Sequence, residues 1–242
     1  MGLAEVARLV VETALNTDSK SGGPTEPPLI VPFGSERRRP VDSDLAESIS
    51  ALKEVFAERG IPARFGSADP ALVATLKSKL RLPPRFRDYL READPIDVET
   101  RTPCESVRLV PAGRLLEEQK GFALDSTGEM LDKPAATGWR PNWVIVAHST
   151  LLGDPYFLDV ASPDPEGDCP VYTAMSGTET WQPRLCASSF ALFLRILAIG
   201  MDVAKGFRED DVDMDDEYVF REALANPIRQ YDPAAVKAGH WT

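Results

Sequence analysis

The residues best able to do chemistry are few. His148 and His240 are the only histidines, and His148 stands beside Ser149 with Asp159 downstream, the residue types of a hydrolytic triad. Neighbours at a strand end project to opposite sides, so His148 and Ser149 would not reach each other, and His148 reads as a strand-end residue. The loop from Asp164 to Asp168 offers Asp164, Glu166 and Asp168 as oxygen ligands for a hard cation. Its spacing is not that of an EF-hand, and its prolines suit a turn between strands. Cys104, Cys169 and Cys186 are an odd set with no CxxC spacing, so neither a disulfide framework nor a zinc cage is indicated, and Cys169 and Cys186 read as small core residues. No HExxH, GxxxxGK[ST] or post-strand GxGxxG motif occurs. The expectation is a chain without metal, cofactor or catalytic set.

What remains is charge. Against 27 Lys and Arg stand 38 Asp and Glu, a net charge of −11, which argues against a nucleic-acid surface because phosphate contacts need clustered cations. A basic partner is the natural complement. Between Glu209 and Glu217 seven of nine positions are acidic, and further carboxylates sit in turns between strands. Acidic loops on a rigid sheet point to a binding module. Unpaired thiols fit a reducing cytoplasm. The first residues lack a basic start and a long apolar core, and no run approaches the roughly 18 apolar residues of a membrane span, so no export or membrane role is expected.

The elements that must hold these groups are legible in part. Leu3, Val6, Ala7, Val10 and Ala14 recur at helical spacing, and Asp18 to Pro28 is a Ser, Gly and Pro rich linker followed by a basic cluster at Arg37 to Arg39. Asp44 with Glu47 resembles a capping box that starts a helix stopped by Gly60; Asp69-Pro70 starts another, and Pro83-Pro84 breaks it. Ser106 to Val110 reads as a strand followed by a short helix over Gly113 to Gln119. Trp143 to Ala147 is a short apolar run that suits a strand covered on both faces. Tyr156 to Val160 alternates, and Gly153-Asp154-Pro155 between the two predicts an antiparallel hairpin. Val171 to Met175 is a third run. Ser188 or Ser189 then caps a broadly apolar helix ended by Gly200, and a last helix runs from Tyr218 to Ala225 until Pro227.

The order LPPRFRDYL, VRLVPAGRLLEEQKGFAL, WRPNWVIVAHSTLLGDPYFLDV and PVYTAMSGTETWQPRLCASSFALFL resembles the SUKH superfamily, which includes fungal Smi/Knr cell-wall regulators and many bacterial immunity proteins. The likeness spans about Asp69 to Gly200, carried by the GDPYFLDV hairpin, Trp181 and the Ser189-Phe190 helix start. Where relatives often carry Asn-Gly after the LPP helix, this chain has Arg91 to Asp94. The resemblance implies an α+β fold, a mixed or largely antiparallel sheet with helices packed against it. Residues 1–65 are then an N-terminal helical extension with its linker, 66–200 the SUKH-like domain, and 201–242 an acidic C-terminal extension packing on the same domain. It also implies a bacterial, cytoplasmic immunity protein that binds a cognate toxin, such as a nuclease, and occludes its active site. The alternative is a non-catalytic scaffold for an endogenous partner. Candidate contacts are Asp154, Asp164, Glu166, Asp168 and Glu179 in the loops, and Asp210, Asp211, Asp213, Asp215, Asp216 and Glu217 in the acidic run. Trp181 is either an aromatic anchor or a packing residue at a strand end.

Overall fold

The computed structural model describes residues 45–132, 134–135, 137–207 and 214–242. The helix expected over Leu3 to Ala14, the linker, the Arg37 to Arg39 cluster and the Asp44 cap lie outside those residues, as do Glu209, Asp210, Asp211 and Asp213. Of Asp215 the backbone alone is described.

Helices begin where the chain supplies a cap and an apolar stripe. Helix α1 (Leu45–Glu58) buries Leu45, Ile49, Leu52, Val55 and Phe56, and Gly60 at φ +63° follows its end. Helix α2 (Pro70–Leu80) starts under Asp69, whose carboxylate accepts the Ala71 N–H at 2.7 Å, and Pro70 occupies the first turn, where no N–H is needed. Helix α3 (Pro84–Ala93) restarts at the double proline.

A two-stranded sheet pairs β1 (Arg64–Gly66) with β2 (Asp94–Asp97). The larger, six-stranded sheet holds β3 (Glu99–Arg101), β4 (Ser106–Leu109), β5 (Trp143–Ser149), β6 (Pro155–Asp159), β7 (Val171–Thr173) and β8 (Arg184–Ala187), neighbours in chain order and antiparallel throughout. Between β4 and β5 lies the short helix α4 (Leu115–Glu118), and the sheet is followed by α5 (Phe190–Val203), α6 (Met214–Tyr231) and α7 (Pro233–Ala238). The fold is α+β, with helices packed against an antiparallel sheet.

Strand β5 is buried on both faces, as its unbroken apolar run requires. Val144 and Val146 enter the main core under the helices, while Trp143 and Ile145 join Trp139 and Phe157 in a second cluster on the other face. The register shifts between Ile145 and Ala147, and this irregularity lets Val146 and Ala147 both face the main core. On β6 the alternation holds: Tyr156 and Leu158 face the helices, and Phe157 stacks among the tryptophans. Helix α5 closes the main core, with the Phe190 ring edge-on to Phe86 at 4.7 Å and to Tyr89 at 4.8 Å. Each such ring or leucine removed from water contributes about 1.5–3 kcal/mol. Helix α1 belongs to this same core through Leu52 and Phe56, although it precedes the 66–200 stretch.

The last long helix departs from expectation. It runs through Pro227 rather than stopping there. A proline inside a helix removes a hydrogen bond and crowds the preceding turn. Here Phe220, Leu224 and Ile228 form one buried stripe across it, so packing outweighs the local penalty. Among the described residues no helix is long and apolar enough to cross a membrane.

Candidate functional site

The antiparallel order decides which loops meet. The row Ala147, Tyr156, Thr173 and Arg184 crosses four strands in register, so the β5–β6 turn, the β7–β8 loop and the start of β4 share one end of the sheet. The β6–β7 loop lies at the opposite end. The candidate loop carboxylates are therefore split: Asp154 and Glu179 belong to the first end, and Asp164, Glu166 and Asp168 to the second.

At the first end the β5–β6 turn stands as a ridge. Ser149 N–H donates to the Asp154 carbonyl at 2.8 Å, Gly153 N–H to the Ser149 carbonyl at 3.0 Å, and Leu152 N–H to Ser149 Oγ at 3.1 Å. Gly153 takes φ +74°, a conformation that a side chain would strain. The Thr150 N–H ties the turn to the Ser106 carbonyl at 2.8 Å, and the Ser176 N–H of the β7–β8 loop donates to Asp154 Oδ1 at 2.7 Å. This bonding fixes the backbone and leaves Leu151 at 61% and Leu152 at 71% exposure, with Met175 at 64% beside them. Asp154, offered by the sequence as a contact, serves first to join the two loops.

A cleft flanks the ridge on each side. One, of about 550 Å³, is lined by Ile96, Arg108, Arg114, His148, Thr150 and Gly153 among others. The other, of about 530 Å³, includes Leu152, Asp154, Tyr156, Arg184, Arg221 and His240 in its lining.

Beneath the second cleft is a polar network. Glu105 accepts from Ser149 Oγ at 2.8 Å, from the Ser106 N–H at 2.9 Å and from the Tyr156 hydroxyl at 3.0 Å. Tyr156 is also 3.0 Å from His240 Nε2. With the Tyr156 proton on Glu105, that nitrogen must carry its own hydrogen and donate to the phenol. Burial raises the Glu105 and Tyr156 pKa values, the latter helped by the Glu105 charge. His240 is held neutral: burial, then the Arg184 and Arg221 charges, push it down to about 3. The segment carrying it is anchored by Trp241, whose Nε1–H donates to the Cys186 carbonyl at 2.8 Å and whose ring stacks over Tyr156 at 6.2 Å.

The triad types do not converge. His148 meets Glu118 at 3.1 Å, Ser149 turns to Glu105, and Asp159 bonds Asn142 at the far end of β5. Nor does the β6–β7 loop aim its oxygens at a cation. Asp164 Oδ1 accepts the Glu166 and Asp168 N–H groups, and among the described residues no three His, Cys, Asp or Glu are grouped to hold a metal. The thiols are poor nucleophiles, since burial raises all three and takes Cys169 up to about 12 with help from Asp168.

Asp168 is a correction to the set of contacts. It is 3% exposed and accepts from the N–H groups of Cys169, Phe190 and Ala191 at 2.7, 3.0 and 3.0 Å, so it caps α5 from inside and presents nothing to a partner. Removing it would leave three N–H donors without their acceptor in a buried position. Asp168→Ala is expected to lower unfolding free energy by about 2–3 kcal/mol in urea denaturation, with Asp168→Asn milder. An unchanged midpoint would refute that role.

The other candidates fall as follows. Glu166 and Glu179 are exposed. Asp216 is half-buried, and Glu217 pairs with Arg221 at 3.0 Å. Trp181 is half-buried, its ring packed on Trp139 at 5.3 Å and Phe122 at 5.8 Å, and its backbone N–H donates to the Thr137 carbonyl. Leu151, Leu152 and Met175 are not among the residues that charge singles out in the sequence. The signal was present: an apolar pair at the tip of a Gly-Asp-Pro turn has no face left to bury it.

No family model matches the chain, and no curated protein matches it.

Proposed function

We propose that the chain is a non-catalytic immunity protein of SUKH type that binds a cognate toxin through the Thr150–Asp154 ridge and occludes its active site. The observation that carries this reading is the ridge itself: a hydrogen-bonded turn that holds two leucines mainly in water between two clefts. Neighbouring exposed leucines add no stability to the isolated chain, and their removal from water rewards a partner at about 25 cal/mol per Å². A convex, preorganised element enters a concave site with little ordering cost. The net charge of −11 favours encounter with a basic toxin, as a nuclease cleft would be. The antiparallel sheet with packed helices is of the class that the SUKH resemblance implies.

Co-expression with a candidate toxin encoded beside the gene tests it. Cells should survive with this chain and die without it, and the purified pair should form a complex whose association slows as salt rises. Equal killing, with no complex formed, would end the immunity reading and leave the scaffold role. A complex indifferent to salt would remove its electrostatic part.

A further inference from the structure

In the first cleft every charged group of the lining already has an opposite partner. Arg108 donates to Glu99 Oε2 from Nε at 3.0 Å and from Nη2 at 2.7 Å, while Thr150 Oγ1 donates to Glu99 Oε1 at 3.2 Å. Arg114 Nη2 donates to Glu118 Oε1 at 2.7 Å, Glu118 Oε2 lies 3.1 Å from His148 Nε2, and Asp97 has Arg64 at 3.6 Å. A carboxylate or an ammonium entering here would have to displace one of these partners. The faces of Arg108 are in a different position from its edge. Two hydrogen bonds to one oxygen fix its plane, its side chain is 64% exposed, and among the described residues the cations lying over rings are Lys53, Arg140 and Arg195, not Arg108. Glu99, Arg108 and His148 are successive register partners across β3, β4 and β5, so their side chains share one face and the imidazole stands beside the guanidinium. Apolar surface borders them: Ile96 is 51% exposed and Pro111 half-buried.

We infer that this cleft seats an aromatic side chain of the bound partner, its ring laid on the face of Arg108 and against Ile96. An aromatic ring presents negative potential over its face, so it complements a guanidinium plane and leaves the edge bonded to Glu99 undisturbed. It is the one class of large side chain that gains from the cation without competing for its carboxylate. A volume of about 550 Å³ accommodates such a ring. The assignment to a partner side chain rests on the ridge reading. Thr150 and Gly153 belong both to the ridge and to the wall of this cleft, so a surface seated on the ridge also covers it. The chain would then give leucines to its partner and receive an aromatic anchor in return, the residue class that dominates binding hot spots.

The test needs no partner. Titrate the full chain with N-acetyl-tryptophanamide, following the Ile96 methyl and His148 ring signals by NMR. A saturable upfield shift of the Ile96 methyls, with a dissociation constant of about a few millimolar, is expected. Arg108→Lys keeps the charge beside Glu99 and removes the plane, an exposed change that should leave the fold intact, and it should weaken binding about threefold. Ile96→Ala, followed at His148, should weaken it about fivefold. N-acetyl-leucinamide should bind at least about threefold more weakly than the tryptophan amide and should not respond to Arg108→Lys. No saturable shift, equal binding of the leucine amide, or undiminished binding in either variant would overturn the aromatic site. A dissociation constant below about 10 μM would overturn its assignment to a partner side chain in favour of a free aromatic compound. Leu151 and Leu152 do not line this cleft, so Leu151→Asp with Leu152→Asp should bind the tryptophan amide as the parent does, and failure of the ridge is read apart from failure of this site.

Discussion

Leu151→Asp with Leu152→Asp is expected to weaken binding of the proposed toxin partner by at least about a hundredfold while leaving the free chain as stable as before. Fully burying a leucine side chain is favourable by about 1.5–3 kcal/mol, and here each still has most of that burial to gain. The aspartates lose both gains and add two carboxylates to be desolvated against the partner. In the free chain those positions face water, and the turn is fixed by backbone and Ser149 contacts that the substitution does not touch, so stability should move by no more than about 0.5 kcal/mol. Titration calorimetry measures the first quantity and urea denaturation the second. Retained affinity with retained stability would place the interface elsewhere.

Acid sensitivity should trace to His240. Its pKa lies at about 3 in the folded chain against an ordinary 6.5, so between those values the unfolded chain binds a proton that the native chain refuses. Stability from this group is present in full above pH 6.5 and is lost as pH falls toward 3. Each unit is worth 1.36 kcal/mol, so by pH 4 the loss is about 3 kcal/mol. Asp168 and Glu105 act in the opposite sense: burial raises both, the native chain holds their protons more tightly, and stability gains as pH falls through their windows. The comparison that isolates His240 is therefore with His240→Gln, which keeps a donor for the Tyr156 oxygen and cannot titrate. Between pH 7 and pH 4 the variant should lose about 3 kcal/mol less than the parent in urea denaturation. Identical losses would refute the assignment.

The parts of the fold legible in the sequence are those where local chemistry and packing agree. The Trp143 to Ala147 run, the Gly153-Asp154-Pro155 turn, the Asp69-Pro70 start and the Ser189 cap, which accepts the Leu192 N–H at 3.1 Å, each act within a few residues. Strand β8 was missed because its first residue, Arg184, is exposed and only Cys186 and Ala187 are buried, too short a pattern to register. Helix α6 crosses Pro227 because a stripe four residues apart is buried by its neighbours, which no propensity encodes.

The site was less legible still. Glu105, Tyr156 and His240 meet across 51 and 84 residues of chain, so no spacing announces them. The carboxylates misled in the other direction. A carboxylate in a loop looks the same in sequence whether it meets solvent, as Glu166 does, or turns inward to cap a helix, as Asp168 does. The two leucines could have been found, since a hairpin tip offers an apolar side chain no shelter within its own fold.

The measurement that bears most directly on the ridge as the proposed binding face is hydrogen exchange on the chain alone and in complex with the proposed toxin partner. Protection should concentrate in the β5–β6 turn and the start of the β7–β8 loop, with the outer faces of α2 and α6 unchanged. Protection confined to α6 or to the β6–β7 loop, with the Thr150–Asp154 amides exchanging as in the free chain, would contradict it.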